Sequence, residues 1–131
     1  MEIKFFDDPF ESPKPRHEVR IKQLGLYIYP DQRRVAVGFE LTPFLEKPSI
    51  EVKVVNAEGV SAGSMNVIEA FQTNFSLTMH LRDKAPTSPY HLRAILYYAT
   101  PETEREDVHV LQATFSVDEE GEHIFTYDEE E

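Results

Sequence analysis

The sequence predicts an all-β fold, a single antiparallel β-sandwich of about seven to eight strands. Three observations carry this. Runs in which every second residue is apolar recur along the chain, as expected of strands with one face on a core. Clusters of Pro, Gly, Asn and Asp interrupt those runs at intervals of roughly ten residues. No segment of useful length spaces its apolar residues as a helix would. The clearest stretch is NFSLTMHLRDKAPTSPYHLRAILYYAT at 74–100. There Phe75, Leu77, Met79 and Leu81 alternate with polar residues, a proline-punctuated corner follows, and a second run begins at Tyr90 and continues through Leu92, Ala94, Leu96 and Tyr98.

The elements follow in order. Residues 1–17 hold Phe5, Phe6 and Phe10 among Pro9, Pro13 and Pro15. Proline removes ladder donors, so this segment reads as an extended arm whose phenylalanines cover one side or end of the sandwich. A first strand spans 18–29. Its inward phase changes from Val19 and Ile21 to Leu24, Leu26 and Ile28, which calls for a bulge near Lys22 and Gln23. Pro30 and Asp31 supply turn chemistry. A second strand at 34–42 points Val35, Val37, Phe39 and Leu41 inward. If Tyr29 meets Arg34 across the turn, Ile28 faces Val35, Leu26 faces Val37 and Leu24 faces Phe39, apolar against apolar throughout. The same register sets Tyr27 against Ala36 and Gly25 against Gly38 on the other face.

A third strand at 49–56 carries Ile50, Val52 and Val54, and Asn56 and Gly59 turn the chain. A weaker edge strand at 64–71 centres on Met65, Val67 and Ile68. The two strands of the 74–100 stretch come next, then a charged loop from Ala99 to Asp107. The strand at 108–117 again changes phase, between Val110 and Leu111. A last short strand at 123–127 would form a hairpin that brings Phe125 opposite Phe115. We therefore expect an arm at 1–17, a sandwich domain at 18–117 and an acidic C-terminal hairpin or tail at 118–131.

Leu77, Met79 and Asp83, followed by Pro89, Tyr90 and Leu92, resemble the corner between strands E and F of immunoglobulin-like and fibronectin type III-like sandwiches. The resemblance implies that Tyr90 is a structural corner residue, its hydroxyl bonding back to the corner backbone. Leu92 would stand where antibody domains place a core cysteine. The chain has no cysteine and no tryptophan, so the disulfide and the strand C tryptophan are missing. The resemblance covers 18–117 and implies no activity, because such folds host unrelated functions. A C2-type sandwich is the structural rival. Its clustered calcium aspartates have no counterpart here beyond Asp7 and Asp8.

Charge narrows the partners. The net charge is −11, and residues 118–131 hold eight of the 24 acids with no Lys or Arg. A near-neutral sandwich with an acidic end is a poor match for nucleic acid or an anionic membrane surface. No apolar run approaches the roughly 18 residues that span a bilayer. Lacking cysteines and an apolar leader, the protein is expected to be cytoplasmic.

Nothing in the sequence assigns a catalytic residue. No serine lies in a nucleophile elbow, the five histidines lack metal-ligand spacing, and no glycine-rich phosphate loop occurs. We expect no enzyme activity, no cofactor and no metal. Two outward-phase surfaces are the partner-binding candidates: Tyr27 and Tyr29 above Gly25, Ala36 and Gly38, and Ile95 and Tyr97 beside His91 and Arg93. Asp7, Asp8, Pro9 and Phe10 also resemble a short docking motif. The expected function is a non-catalytic protein–protein interaction or self-association module that uses a sheet face, with a protein partner or a homodimer. The alternative is a small-ligand or carbohydrate-binding sandwich that stacks its ligand on Tyr27 and Tyr29.

Overall fold

Every second side chain of these strands is apolar, so each sheet has an oily face that only another such face can cover. The computed structural model describes residues 11–84 and 88–126. Two four-stranded antiparallel sheets supply the two faces. The strands are β1 (Ile21–Ile28), β2 (Arg34–Leu41), β3 (Ser49–Val55), β4 (Ser61–Val67), β5 (Asn74–His80), β6 (Tyr90–Thr100), β7 (Thr103–Phe115) and β8 (Gly121–Thr126). One sheet has the order β5-β2-β1-β8 and the other β4-β3-β6-β7. A short 3-10 turn, Arg16–Glu18, precedes β1. The described residues include no helix long and apolar enough to cross a membrane.

The first hairpin has the register its sequence dictates. Leu24 faces Phe39, Leu26 faces Val37 and Ile28 faces Val35, with Gly25 against Gly38 and Tyr27 against Ala36. The register shifts between Ile21 and Gln23, where the change of apolar phase demands a bulge. Asp31 makes the turn: its Oδ1 accepts the N–H groups of Arg33 and Arg34 at 3.0 and 3.1 Å. Leu24, Leu26, Phe39, Ile50, Leu92 and Leu96 are all buried between the sheets. Each such side chain contributes about 1.5–3 kcal/mol of transfer free energy. Tyr90 stacks on Phe115 with ring centroids 5.3 Å apart.

Several expectations need correction. The charged segment after Ala99 is no loop. β6 runs to Thr100 and β7 starts at Thr103, with Asp107 opposite Tyr97 and Glu106 opposite Tyr98. Alternating charges read as a loop, but here Arg105 bonds Glu51 of β3 across the sheet and Asp107 along its own strand. The irregularity in β7 falls between His109 and Asp107 rather than after Val110, so His109 lies in the inward phase. β4 starts three residues earlier than expected and leaves Ile68 outside the strand. The last strand does not fold back on β7. It crosses to the other sheet and pairs with β1, setting Phe125 opposite Leu24. That face offers it the apolar edge of the first hairpin, whereas β7 stays an edge. The expected phenylalanine arm through Phe10, residues 85–87 of the corner and the acidic end from Tyr127 lie outside the described residues.

Candidate functional site

At one end of the sandwich the β1–β2, β3–β4 and β5–β6 connections meet around Asp83. Its Oδ2 accepts the Tyr90 hydroxyl at 2.9 Å and the Asn56 side-chain amide at 3.2 Å. Arg33 donates through Nη2 to the Asp83 carbonyl and to the Leu81 carbonyl, the latter at 2.8 Å, and its Nη1 stands 3.5 Å from Asp83 Oδ1. Asn56 in turn accepts the N–H groups of Glu58 and Val60 at 2.9 and 3.0 Å, which closes the β3–β4 turn. Gly59 completes that turn at φ +81°, a value that favours glycine. Tyr90 thus reaches the Asp83 side-chain carboxylate, where the resemblance implies a bond to the corner backbone. Asp83, Asn56 and Tyr90 are buried and tied to turns, so the cluster is a clasp.

The opposite end holds a second network. Arg16 binds Glu46 through two parallel bonds of 2.9 and 2.8 Å, reaches Glu106 at 3.2 Å and lies 4.7 Å above the Tyr98 ring. His17 Nε2 sits 2.6 Å from Glu106. The bond from Arg16 holds the Glu46 carboxyl below the usual carboxylate range, and His17 and Arg16 do the same for Glu106. Burial, aided by Glu46, pushes the Tyr98 phenol up to about 12. A cavity of about 310 Å³ lies nearby, lined by Glu11, Arg20, Lys22, Gln23, Glu40, Thr42 and Thr126. Lys22 bonds Glu11 at 2.8 Å, and Arg20 spends its guanidinium on the carbonyls of His17 and Val19, both at 2.9 Å. Its cations are thus occupied by the chain itself.

The four sequence candidates fall on opposite faces of the molecule. Tyr27 and Tyr29 are half-buried on the outer face of the β5-β2-β1-β8 sheet, edge to face at 5.1 Å, with Arg34 4.2 Å above the Tyr29 ring. Gly25, Ala36 and Gly38 beside them are buried. Ile95 and Tyr97 sit on the outer face of the other sheet and retain only 7% and 6% of their surface. The Arg105 guanidinium lies 4.0 Å over the Tyr97 ring, and the Tyr97 hydroxyl donates to Asn66 at 2.8 Å. The structure brings neither pair to the other and leaves Ile95 and Tyr97 covered.

Two features escaped the sequence reading. The first is His109. Buried at an inward position, its Nδ1 accepts the Ile21 N–H at 2.9 Å, where the β1 bulge interrupts the ladder. Burial lowers its pKa to about 4. The second is the β4–β5 side, where an edge of each sheet comes to the surface. At one end the two strands close up: Arg82 N–H reaches the Ala62 carbonyl at 2.7 Å, and a Cβ on Gly63 would lie 3.1 Å from Met79 Sδ. Further along, Leu77 points inward yet stays 40% exposed, and the crossover from β4 to β5 displays Ile68 at 65% and Phe71 at 77%. Neither β4 nor β5 carries a charged Lys, Arg, Asp or Glu. The one sequence signal for this side is the lack of Lys, Arg, Asp and Glu in both strands.

The described residues contain no group of three or more His, Cys, Asp or Glu able to hold a metal ion. No protein-family profile matches the chain, and no curated protein matches it. Among solved structures, it is similar to part of a β-glucuronidase from Bifidobacterium dentium, determined with coumarin-3-O-glucuronide. Identity is 13% and the TM-score 0.48, over 76% of this chain and 18% of that one. The chain thus spans less than a fifth of that enzyme, and the likeness carries no functional argument.

Proposed function

We propose that this chain is a non-catalytic protein-interaction module whose contact surface is the β4–β5 side of the sandwich. One observation carries the reading: Ile68, Phe71 and Leu77 are exposed apolar side chains on or beside two neutral strands. In a chain of net charge −11, two edge strands without Lys, Arg, Asp or Glu, with Glu69 the one acid beside Ile68 and Phe71, form a surface of low repulsion. The sequence had placed the contact on a sheet face at Tyr27, Tyr29, Ile95 and Tyr97. The burial of Ile95 and Tyr97, and the half-burial of Tyr27 and Tyr29, support the edge over either face. The titratable clusters of the described residues support the non-catalytic reading, since each is tied to turns or to its own counter-ions. The absence of cysteine fits a cytoplasmic, reducing setting.

The test is capture of binding partners from the source cells by the immobilised chain, against the double variant Ile68→Glu and Phe71→Glu. Both residues are exposed, so the variant keeps the fold. A partner held by the parent and lost by the variant supports the reading. Equal capture by both would remove it.

A further inference from the structure

The backbone of β5 has a defined outward phase. In an antiparallel ladder, residues alternate between exchanging hydrogen bonds with one neighbour and presenting them to the other side. Leu41 N–H reaches the Thr73 carbonyl and Leu81 N–H reaches the Arg33 carbonyl, each at 2.7 Å. With β2 and β5 in register from Arg34 against His80 to Glu40 against Asn74, the odd-numbered residues from Thr73 to Leu81 therefore bond inward to β2. Ser76 and Thr78 direct their N–H and C=O groups out of the sheet.

We infer that β5 pairs with β5 of a second copy, antiparallel about a two-fold axis through Leu77, joining two four-stranded sheets into one. The inference rests on the reading of the β4–β5 side as the contact surface and specifies its occupant. In this register Ser76 opposes Thr78 of the other copy, and both belong to the outward set, so each pair exchanges two hydrogen bonds. Leu77 meets Leu77 and Phe75 meets Met79 at the closer, non-bonded positions. Apolar groups face apolar ones on the inner side and hydroxyls face hydroxyls on the outer side. No charged pair opposes another, because the strand NFSLTMH has none.

Charge placement favours this edge over the others. Sheet order puts β5 at the far edge from β8 and its acidic turn, so the pairing holds those acids apart. The free edge of β7 carries Glu104, Arg105, Glu106 and Asp107 directly after Thr103, the kind of charged border that blocks strand addition. β4 is irregular where its register with β3 shifts between Val54 and Val55. β5 has none of these protections: no proline, no bulge and no Lys.

Sedimentation of the full 131-residue chain tests the pairing, from micromolar to near-millimolar concentration. The expected result is a reversible dimer, with the Ser76 and Thr78 amides protected from hydrogen exchange only where the dimer forms. Ser76→Pro removes an outward donor while leaving the β2 ladder intact, and proline is tolerated at such edge positions. It should weaken dimerisation at least tenfold, by the loss of two bonds worth about 1 kcal/mol each. Leu77→Lys is the second variant. It sets like charges face to face on the axis, while the monomer leaves that side chain room to reach water. A strict monomer, or a dimer indifferent to both variants or with those two amides unprotected, would overturn the inference. A strict monomer that still loses a captured partner through Ile68→Glu and Phe71→Glu would overturn this pairing alone and leave the proposed function standing.

Discussion

The Tyr90 hydroxyl and the Asp83 carboxylate, 2.9 Å apart and both buried, join the start of β6 to the corner that precedes it. A hydrogen bond to a buried charged acceptor contributes about 1.5–3 kcal/mol. Tyr90→Phe keeps the stacking on Phe115 and removes the donor, so it should cost about 2 kcal/mol. Asp83→Ala should cost more, about 3 kcal/mol or above, because it strands the Asn56 amide and leaves Arg33 without its counter-charge. Urea unfolding with an unchanged slope checks both. A Tyr90→Phe protein as stable as the parent would show that the clasp does not hold the corner.

Much of the fold is written in the alternation of residues, and the exceptions are instructive. The first hairpin was legible to the residue because only one register sets Leu24, Leu26 and Ile28 against Phe39, Val37 and Val35. β8 was not, since Phe125 is apolar and in phase for either neighbour. Its choice of β1 over β7 is a tertiary decision. The β6–β7 hairpin was hidden because Glu104, Arg105, Glu106 and Asp107 look like a solvated loop until Arg105 is seen bonded to Glu51 and Glu106 to Arg16 and His17. The candidate site was the least legible part. Exposure of Ile68, Phe71 and Leu77 depends on how far two sheet edges stand apart, and periodicity within one strand says nothing of that.

His109 gives the fold a pH dependence with a definite sign. Its folded pKa, lowered to about 4, lies beneath the ordinary value of 6.5. As pH falls from 6.5 toward 4, the unfolded chain takes up a proton that the folded chain refuses, so stability falls over that window. The loss should reach about 2 kcal/mol at pH 5. The depressed carboxyls of Asp31, Glu46, Glu51 and Glu106 act later, as pH drops through and below the ordinary carboxylate range. His109→Gln keeps an acceptor for Ile21 N–H and removes the titration. Its melting temperature should vary little between pH 7 and pH 5, whereas that of the parent falls. Parallel curves would remove His109 as the cause.

Arg105 covers Tyr97 while bonding Glu51 and Asp107. A guanidinium over a ring contributes about 0.5–1 kcal/mol where solvent reaches it. Arg105→Ala should therefore cost about 1 kcal/mol, and it should also uncover Tyr97 and raise binding of a hydrophobic dye. Arg105→Lys retains the charge but not the flat fork, and should fall between parent and Ala. Dye binding unchanged in Arg105→Ala would mean that another group covers the ring.

Two glycines should respond in opposite ways to the same substitution. Gly59 turns the chain at φ +81° with nothing within 4 Å of where a Cβ would stand. Its cost on becoming alanine is purely conformational, about 1 kcal/mol. Gly63 has no positive φ, but its Cβ would meet Met79 Sδ at 3.1 Å and Cγ at 3.4 Å. A thioether is flexible enough to give by the few tenths of an ångström required. The alanine also restricts the unfolded chain, which favours folding by roughly 0.4–1 kcal/mol. Gly63→Ala should thus be neutral or mildly stabilising while Gly59→Ala destabilises, both read from melting temperature. A large loss at Gly63 would mean that Met79 is locked between β4 and β5, and that the seam on the proposed contact side is rigid at that end.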